Sequence, residues 1–329
     1  MAMLRQYRTE DVDDQAYALA GWTQRYDQLG CGRFQGSVWQ MVMSDGVLLR
    51  EHTNRQLREQ IKPPADHLVL AIPLAVEPGS VFAGQPLERE SLMVLSGREE
   101  YDVMSAGELD LIGVSVHRAM LEARLAPAKI EWLERAERQR SLELVPEVAA
   151  AIRHMLLAVN SETTRRLDLI PDREHEAELL SSTLTQAVLL AMSGNRSEHA
   201  STIPRRASNR QRIVKRAIDF MQANLHNDIG VPEICAAAFA SRRTLQYCFE
   251  EFLYTTPQAY LRALRLNEAR RALKLHADQP ITGVASMLGF SSASHFTRHY
   301  KLMFDELPSE TLKLGGQGLA AAPAALAAA

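Results

Sequence analysis

Cysteine is scarce in this chain of 329 residues: Cys31, Cys235 and Cys248 stand far apart. None forms the C-x2-C pair of a zinc site, and three scattered thiols exclude a disulfide-dense scaffold. Long apolar runs are lacking as well. The longest, around Leu68 to Val76, is far shorter than the roughly 20 residues that span a bilayer, and the opening MAMLRQYRTEDVDDQ is charged where a signal peptide is apolar. A soluble, cytoplasmic protein with no membrane partner is expected. Histidines at ligand spacing are also missing. His52, His67 and His117 stand singly, so no metal and no cofactor is expected.

What is present is modular. An apolar content of 46% over this length supports two cores. The formal charge of −3 is unevenly spread: Pro204 to Lys313 holds sixteen Lys and Arg against ten Asp and Glu, while the remainder holds 21 against 30. Clustered cations, rather than the total, mark a nucleic-acid surface.

Between Ser37 and Val116, short runs at Val38 to Met43, Leu68 to Ile72, Leu92 to Leu95 and Leu109 to Val116 are separated by turn signals such as Asp45-Gly46 and Glu77-Pro78-Gly79. This predicts a small barrel or sandwich. From His117 to Ser193 the period turns helical. Val148, Ile152, Met155 and Val159 form one seam, and Ala177, Leu180, Leu184, Ala187 and Ala191 another, suited either to packing on the β region or to self-association. Residues 194–210 read as a linker and the Gly- and Ala-rich 315–329 as a disordered tail. The fold class is therefore α+β, with a β-barrel over about 15–120, helices over about 121–193, and an all-α domain over 211–314.

Within 211–314 two helix-turn-helix units are expected. In the first, Gly230-Val231-Pro232-Glu233 opens a short helix, and Ser241 caps a second whose buried face is Leu245, Cys248, Phe249 and Phe252. Its exposed face carries Arg242, Arg243, Gln246 and Tyr247. Arginine pairs bidentately with guanine and glutamine with adenine, so such a face suits the major groove. In the second unit Ile281, Val284, Ala285 and Leu288 mark a short helix, Gly289 turns the chain, and Ser291 is expected to cap a helix through Phe296, Tyr300 and Phe304. Ala293, Ser294, His295, Arg298 and Lys301 then face outward. Between the units Thr256-Pro257 starts a long helix to about His276, with Tyr260, Leu261, Leu264 and Leu275 on one side and Leu266, Ala269 and Leu273 on the other.

SRRTLQYCF at Ser241 to Phe249, Thr256-Pro257 with Tyr260 to Leu266, Ile281 to Phe290, and His295-Phe296-Thr297-Arg298 before Pro308 together resemble the AraC family of bacterial transcription regulators. The resemblance covers about 105 residues, and four motifs in order make it specific. The first reading helix is similar to the ethanolamine-utilisation regulator branch. The family pattern departs at Phe239, Tyr254 and Asp305, where glycine is usual.

The resemblance implies that Arg243, Gln246 and Tyr247 enter one major groove and Ser294, His295 and Arg298 the next, with Arg242 and Lys301 on phosphates. It implies an effector-sensing and dimerising domain over 1–193, cupin-like in its barrel, and a homodimeric activator that binds promoter DNA and engages RNA polymerase. Trp22, Trp39, Arg50 and Tyr101 are the candidate effector contacts. The alternative is a cupin-like metalloenzyme fused to a DNA-binding module, which stoichiometric metal in the purified protein would reveal.

Overall fold

Leu109 to His117 alternates in a way that suits a strand covered on both faces, and it forms the middle of the larger of two sheets. The computed structural model describes residues 3–19, 21–165, 173–196, 205–275 and 279–318. They divide into two units: Met1–Tyr26 with Phe34–Thr202, and Asp27–Arg33 with Ile203–Ala329.

The first unit contains β1 (Met3–Thr9), α1 (Val12–Ala18), β2 (Thr23–Gln28), whose last two residues belong to the second unit, β3 (Gly36–Met43), β4 (Gly46–Thr53), β5 (Leu57–Lys62), β6 (His67–Val76), β7 (Val81–Phe82), β8 (Gln85–Pro86), β9 (Ser91–Ser96), β10 (Tyr101–Met104) and β11 (Leu109–His117). It continues with α2 (Arg118–Arg124), α3 (Pro127–Gln139), β12 (Ser141–Glu143), α4 (Pro146–Arg165) and α5 (Arg173–Gly194). The strands form a seven-stranded sheet, β1-β3-β4-β11-β6-β9-β12, and a five-stranded sheet, β2-β5-β10-β7-β8. The α+β class is observed, but the expected barrel is not closed. No ladder joins the two sheets among the described residues.

Side-chain alternation sends the apolar residues of the larger sheet to its two faces. Val69, Ala71, Met93, Leu95, Leu109 and Leu111 face Leu57, Ile61, Phe82 and Val103 of the smaller sheet. On the opposite face of the larger sheet Leu70, Ile72, Val94, Ile112 and Val114 pack under the helices, where Ile152, Leu180, Leu184, Ala187 and Ala191 are buried. The helical seams are thus used within the chain. Each fully buried aliphatic side chain contributes about 1.5–3 kcal/mol.

The second unit is helical: α6 (Arg205–Ala223), α7 (Val231–Ala238), α8 (Arg242–Leu253), α9 (Pro257–Leu275), α10 (Ile281–Met287), α11 (Ala293–Phe304) and α12 (Pro308–Gly318). Helix α6 begins inside the expected linker and α12 runs into the expected tail. Residues 197–204 and 319–329 lie outside the described residues. The Thr256 Oγ1 accepts from the Ala259 N–H at 3.2 Å and starts α9. This helix packs against α8, α10, α11 and α12. Tyr260, Leu261, Leu264, Leu266, Ala269 and Leu273 are buried on its two sides, whereas Leu275, at its last turn, is exposed.

Residues 27–33 are held into this unit by polar contacts. The side-chain amide of Asn267 accepts from the Gln28 N–H at 2.9 Å and donates to the Gln28 carbonyl at 2.8 Å. Gln28 Nε2 donates to the Met303 carbonyl at 2.8 Å, and Arg271 pairs with the buried Asp27 at 2.8 Å.

Candidate nucleic-acid interface

Helix α8 starts where expected. The Ser241 Oγ accepts from the Thr244 N–H at 3.1 Å, and Leu245, Cys248, Phe249 and Leu253 form its buried face, with Phe252 half-buried. Arg242, Arg243, Thr244, Gln246 and Tyr247 are exposed and line one concave surface with Arg210 and Glu250. The Arg210 guanidinium lies 5.3 Å from the centre of the Tyr247 ring and pairs with Glu251 at 2.7 Å. Gln246 Nε2 donates to Glu250 at 2.9 Å. These contacts orient the aromatic ring and the amide without burying either.

The turn before α8 is left-handed at Phe239, with φ 52°, and α8 ends in the same conformation at Tyr254, φ 52°. Asp305 closes α11 likewise, φ 57°. Where glycine would be free of strain, Phe239 and Tyr254 each bear about 1–2 kcal/mol of it, and Asp305 less, because a short polar side chain tolerates this region better. Phe239 is exposed, with Arg216 lying 5.3 Å from the centre of its ring.

In the second unit Val284, Ala285 and Leu288 are buried, and α11 follows. Its cap is Ser292 rather than Ser291. Ser292 has the extended backbone a cap requires, and its Oγ accepts from the His295 N–H at 3.4 Å. Phe296, Tyr300 and Phe304 are buried, with ring centres 5.5 and 4.8 Å apart in succession. Ser294, His295, Arg298 and Lys301 are exposed. Burial, then the charges of Arg262, His295 and Arg298, holds the imidazole of His299 below its usual range.

Gly289 makes the turn of this unit at φ 75°, and a Cβ there would lie 2.8 Å from Nη1 of Arg265. That guanidinium donates to the carbonyls of Leu225 at 3.2 Å and Asn227 at 2.7 Å. Gly289→Ala is therefore expected to cost more than the about 1–2 kcal/mol of left-handed strain, because Arg265 must move too. Thermal unfolding of the variant reads this directly, and an unchanged melting temperature would refute the packing described.

Residues 234–314 match the family described as "Helix-turn-helix domain". The HTH-type transcriptional regulator ArgR of Pseudomonas aeruginosa is 30% identical over 139 residues, 42% of this chain and 42% of its own. The XylDLEGF operon transcriptional activator of Pseudomonas putida is 33% identical over 101 residues, 30% and 32% of the two chains. A solved transcriptional regulator with an AraC-type DNA-binding domain, from Chromobacterium violaceum, shares 31% identity over 33% of this chain and 97% of its own, with a TM-score of 0.31. The C-terminal domain is of the AraC type. The chain matches less than half the length of the two curated relatives.

The AraC-type domain exposes all eight side chains singled out in the sequence. Sequence reasoning missed Arg210, which lines the same concave surface. Arg210 falls in the stretch read as linker, where the basic cluster Arg205, Arg206, Arg210 and Arg212 was its only signal.

The four candidate effector contacts do not come together. Trp39 and Arg50 are register partners across β3 and β4, and Trp39 packs with the core under the helices. Arg50 forms a bidentate pair with Asp110 at 3.0 and 2.6 Å. Trp22 and Tyr101 belong instead to the core between the sheets, where Tyr101 stacks on Phe82 at 5.6 Å. Trp39 and Arg50 lie on the larger sheet and Tyr101 on the smaller, so strand pairing, which sequence spacing does not encode, separates the set.

Two histidines that stand singly in the sequence do meet. His67 and His117 are register partners with ring centres 5.5 Å apart. Among the described residues no three His, Cys, Asp or Glu side chains gather as a metal site would require, and no helix is long and apolar enough to cross a membrane.

Proposed function

We propose that this protein is a sequence-specific DNA-binding transcription regulator, an activator controlled by a small-molecule effector taken up in its first unit. The observation that carries this reading is that α8 and α11 bury their apolar faces in one unit while presenting Arg243, Gln246 and Tyr247, and Ser294, His295 and Arg298, to solvent. Arg243 and Arg298 read guanine edges, Gln246 an adenine, and Arg242 and Lys301 hold phosphates. Such a regulator acts in the cytoplasm as a homodimer, contacts RNA polymerase, and needs no catalytic centre, so purified protein is expected to carry no stoichiometric metal.

Footprinting on the DNA flanking its gene, repeated across candidate metabolites, tests the reading. Each half-site is expected to show protection in two adjacent major grooves, with a cognate affinity about a thousandfold or more above that for random DNA. Equal affinity for random and cognate DNA would overturn it.

A further inference from the structure

Two carboxyl groups are buried near the apolar core between the two sheets. Glu51 of β4 stands opposite Val38 of β3, and Glu59 of β5 stands between Leu57 and Ile61, both of which belong to that core. Relative exposure is 7% for Glu51, 3% for Glu59 and 0% for Tyr26 of β2. Glu51 Oε1 accepts from the Gln15 amide at 2.9 Å and from the Tyr26 hydroxyl at 3.0 Å. The Oε1 of Glu59 has no hydrogen-bond partner, and neither has the Oε1 of Gln24, two residues before Tyr26 on the same strand. Both oxygens are withdrawn from water.

Among the described residues neither Glu51 nor Glu59 is in an ion pair with a cation. Burial acts most on Glu51, followed by the hydrogen bonds from Gln15 and Tyr26; burial acts most on Glu59, followed by the charge of Glu51. The adjacent Arg58 is engaged with Asp102 at 2.8 Å. Isolated buried carboxylates are costly, and unsatisfied buried acceptors add to the cost. Such an arrangement is a stability defect unless a ligand supplies the missing donors and charge.

We infer that Glu51, Glu59, Tyr26 and Gln24 form the binding site for a small organic cation, an alkylammonium or alkylguanidinium group whose N–H donors face Glu59 and Gln24 and whose hydrocarbon lies on Leu57 and Ile61. This rests on the reading of the first unit as an effector receptor and names the chemical class of the effector. A hard divalent metal is less suited, since it takes six to eight oxygen ligands and no third acidic or histidine ligand joins the pair among the described residues. Burial pushes the Glu51 carboxyl up to about 7 and Glu59 well above the usual range, which favours the protonated form of each. A folded-state value above the unfolded one means that stability falls as pH rises from the ordinary carboxylate range through about 7.

The test uses full-length protein with propylammonium chloride as the probe, against sodium chloride at equal ionic strength, sodium propionate and calcium chloride. Calorimetry and thermal unfolding at pH 8 are expected to show saturable binding of propylammonium and a rise of several degrees in melting temperature. Glu59→Gln, which replaces the acid by a neutral amide of the same shape, is expected to melt higher than wild type at pH 8 without probe and to weaken the probe by about tenfold to a hundredfold. Gln24→Ala, at a half-buried position, is expected to fold normally and to weaken it less.

A wild type indifferent to propylammonium sinks the inference, as does an equal response in Glu59→Gln. So does a lower melting temperature of Glu59→Gln at pH 8, which would make the residue structural, and so does a calcium response that needs Glu59. None of these touches the DNA footprint, which is measured without the probe and judges the regulator reading separately.

Discussion

Alanine in place of both Arg243 and Arg298 is expected to lower affinity for the cognate site by about 2–6 kcal/mol, at least roughly 30-fold, because each bidentate arginine–guanine pair contributes about 1–3 kcal/mol. The residues stand on separate helices, α8 and α11, and are expected to read separate bases, so their effects should add. Both are exposed, and the double variant should melt with the wild type. Its binding to random DNA should fall far less, since sequence-independent affinity comes from phosphate contacts. Lys301→Ala is the contrasting control: it should weaken all sequences alike and reduce the salt slope by about one. Titrations of both variants on cognate and random duplexes at several salt concentrations decide the matter. A proportional loss on both duplexes for the arginine variant would mean that these side chains only hold the backbone.

The second large effect belongs to Asn267. This residue is almost fully buried in the middle of α9, where asparagine is a weak helix former. Its amide closes both hydrogen bonds of the Gln28 backbone and also donates to the Ala263 carbonyl at 2.8 Å. Asn267→Ala removes the side-chain partner and leaves the Gln28 N–H and carbonyl buried without it, at about 1–3 kcal/mol for each group. A loss of about 2–5 kcal/mol is expected in denaturant unfolding, together with faster hydrogen exchange at the Gln28 amide. Unchanged exchange at Gln28 would show that residues 27–33 are held by something else. Because Arg271 and Asp27 add a second anchor at 2.8 Å, the segment should loosen without leaving the unit altogether.

The helical unit was legible because its signals are local. A cap such as Ser241 acts on the N–H three residues on, a glycine such as Gly289 acts on its own backbone, and a 3.6-residue period decides which of Arg243, Leu245 and Gln246 face water. The eight exposed side chains of α8 and α11 follow from that arithmetic. The one-residue error at the second cap, Ser291 for Ser292, lies between two identical side chains that only backbone geometry distinguishes.

The β unit was legible in its class but not in its contents. The apolar runs marked β3, β6, β9 and β11, yet they do not say which strand pairs with which, and a shift of one residue reverses every side chain. Ladder register therefore decided that Trp39 and Arg50 lie away from Trp22 and Tyr101, that His67 meets His117, and that Glu51 and Glu59 share one interior with Tyr26. The pairing of Gln28 with Asn267 spans 239 residues, far beyond any periodic signal. The sequence alone determined the two helix-turn-helix units, the cap at Ser241 and the exposed faces of α8 and α11, since these depend on neighbours within one or two turns. Only the tertiary structure decided the sheet partners, the buried acidic pair and the seat of residues 27–33, since these depend on long-range packing that no local pattern encodes.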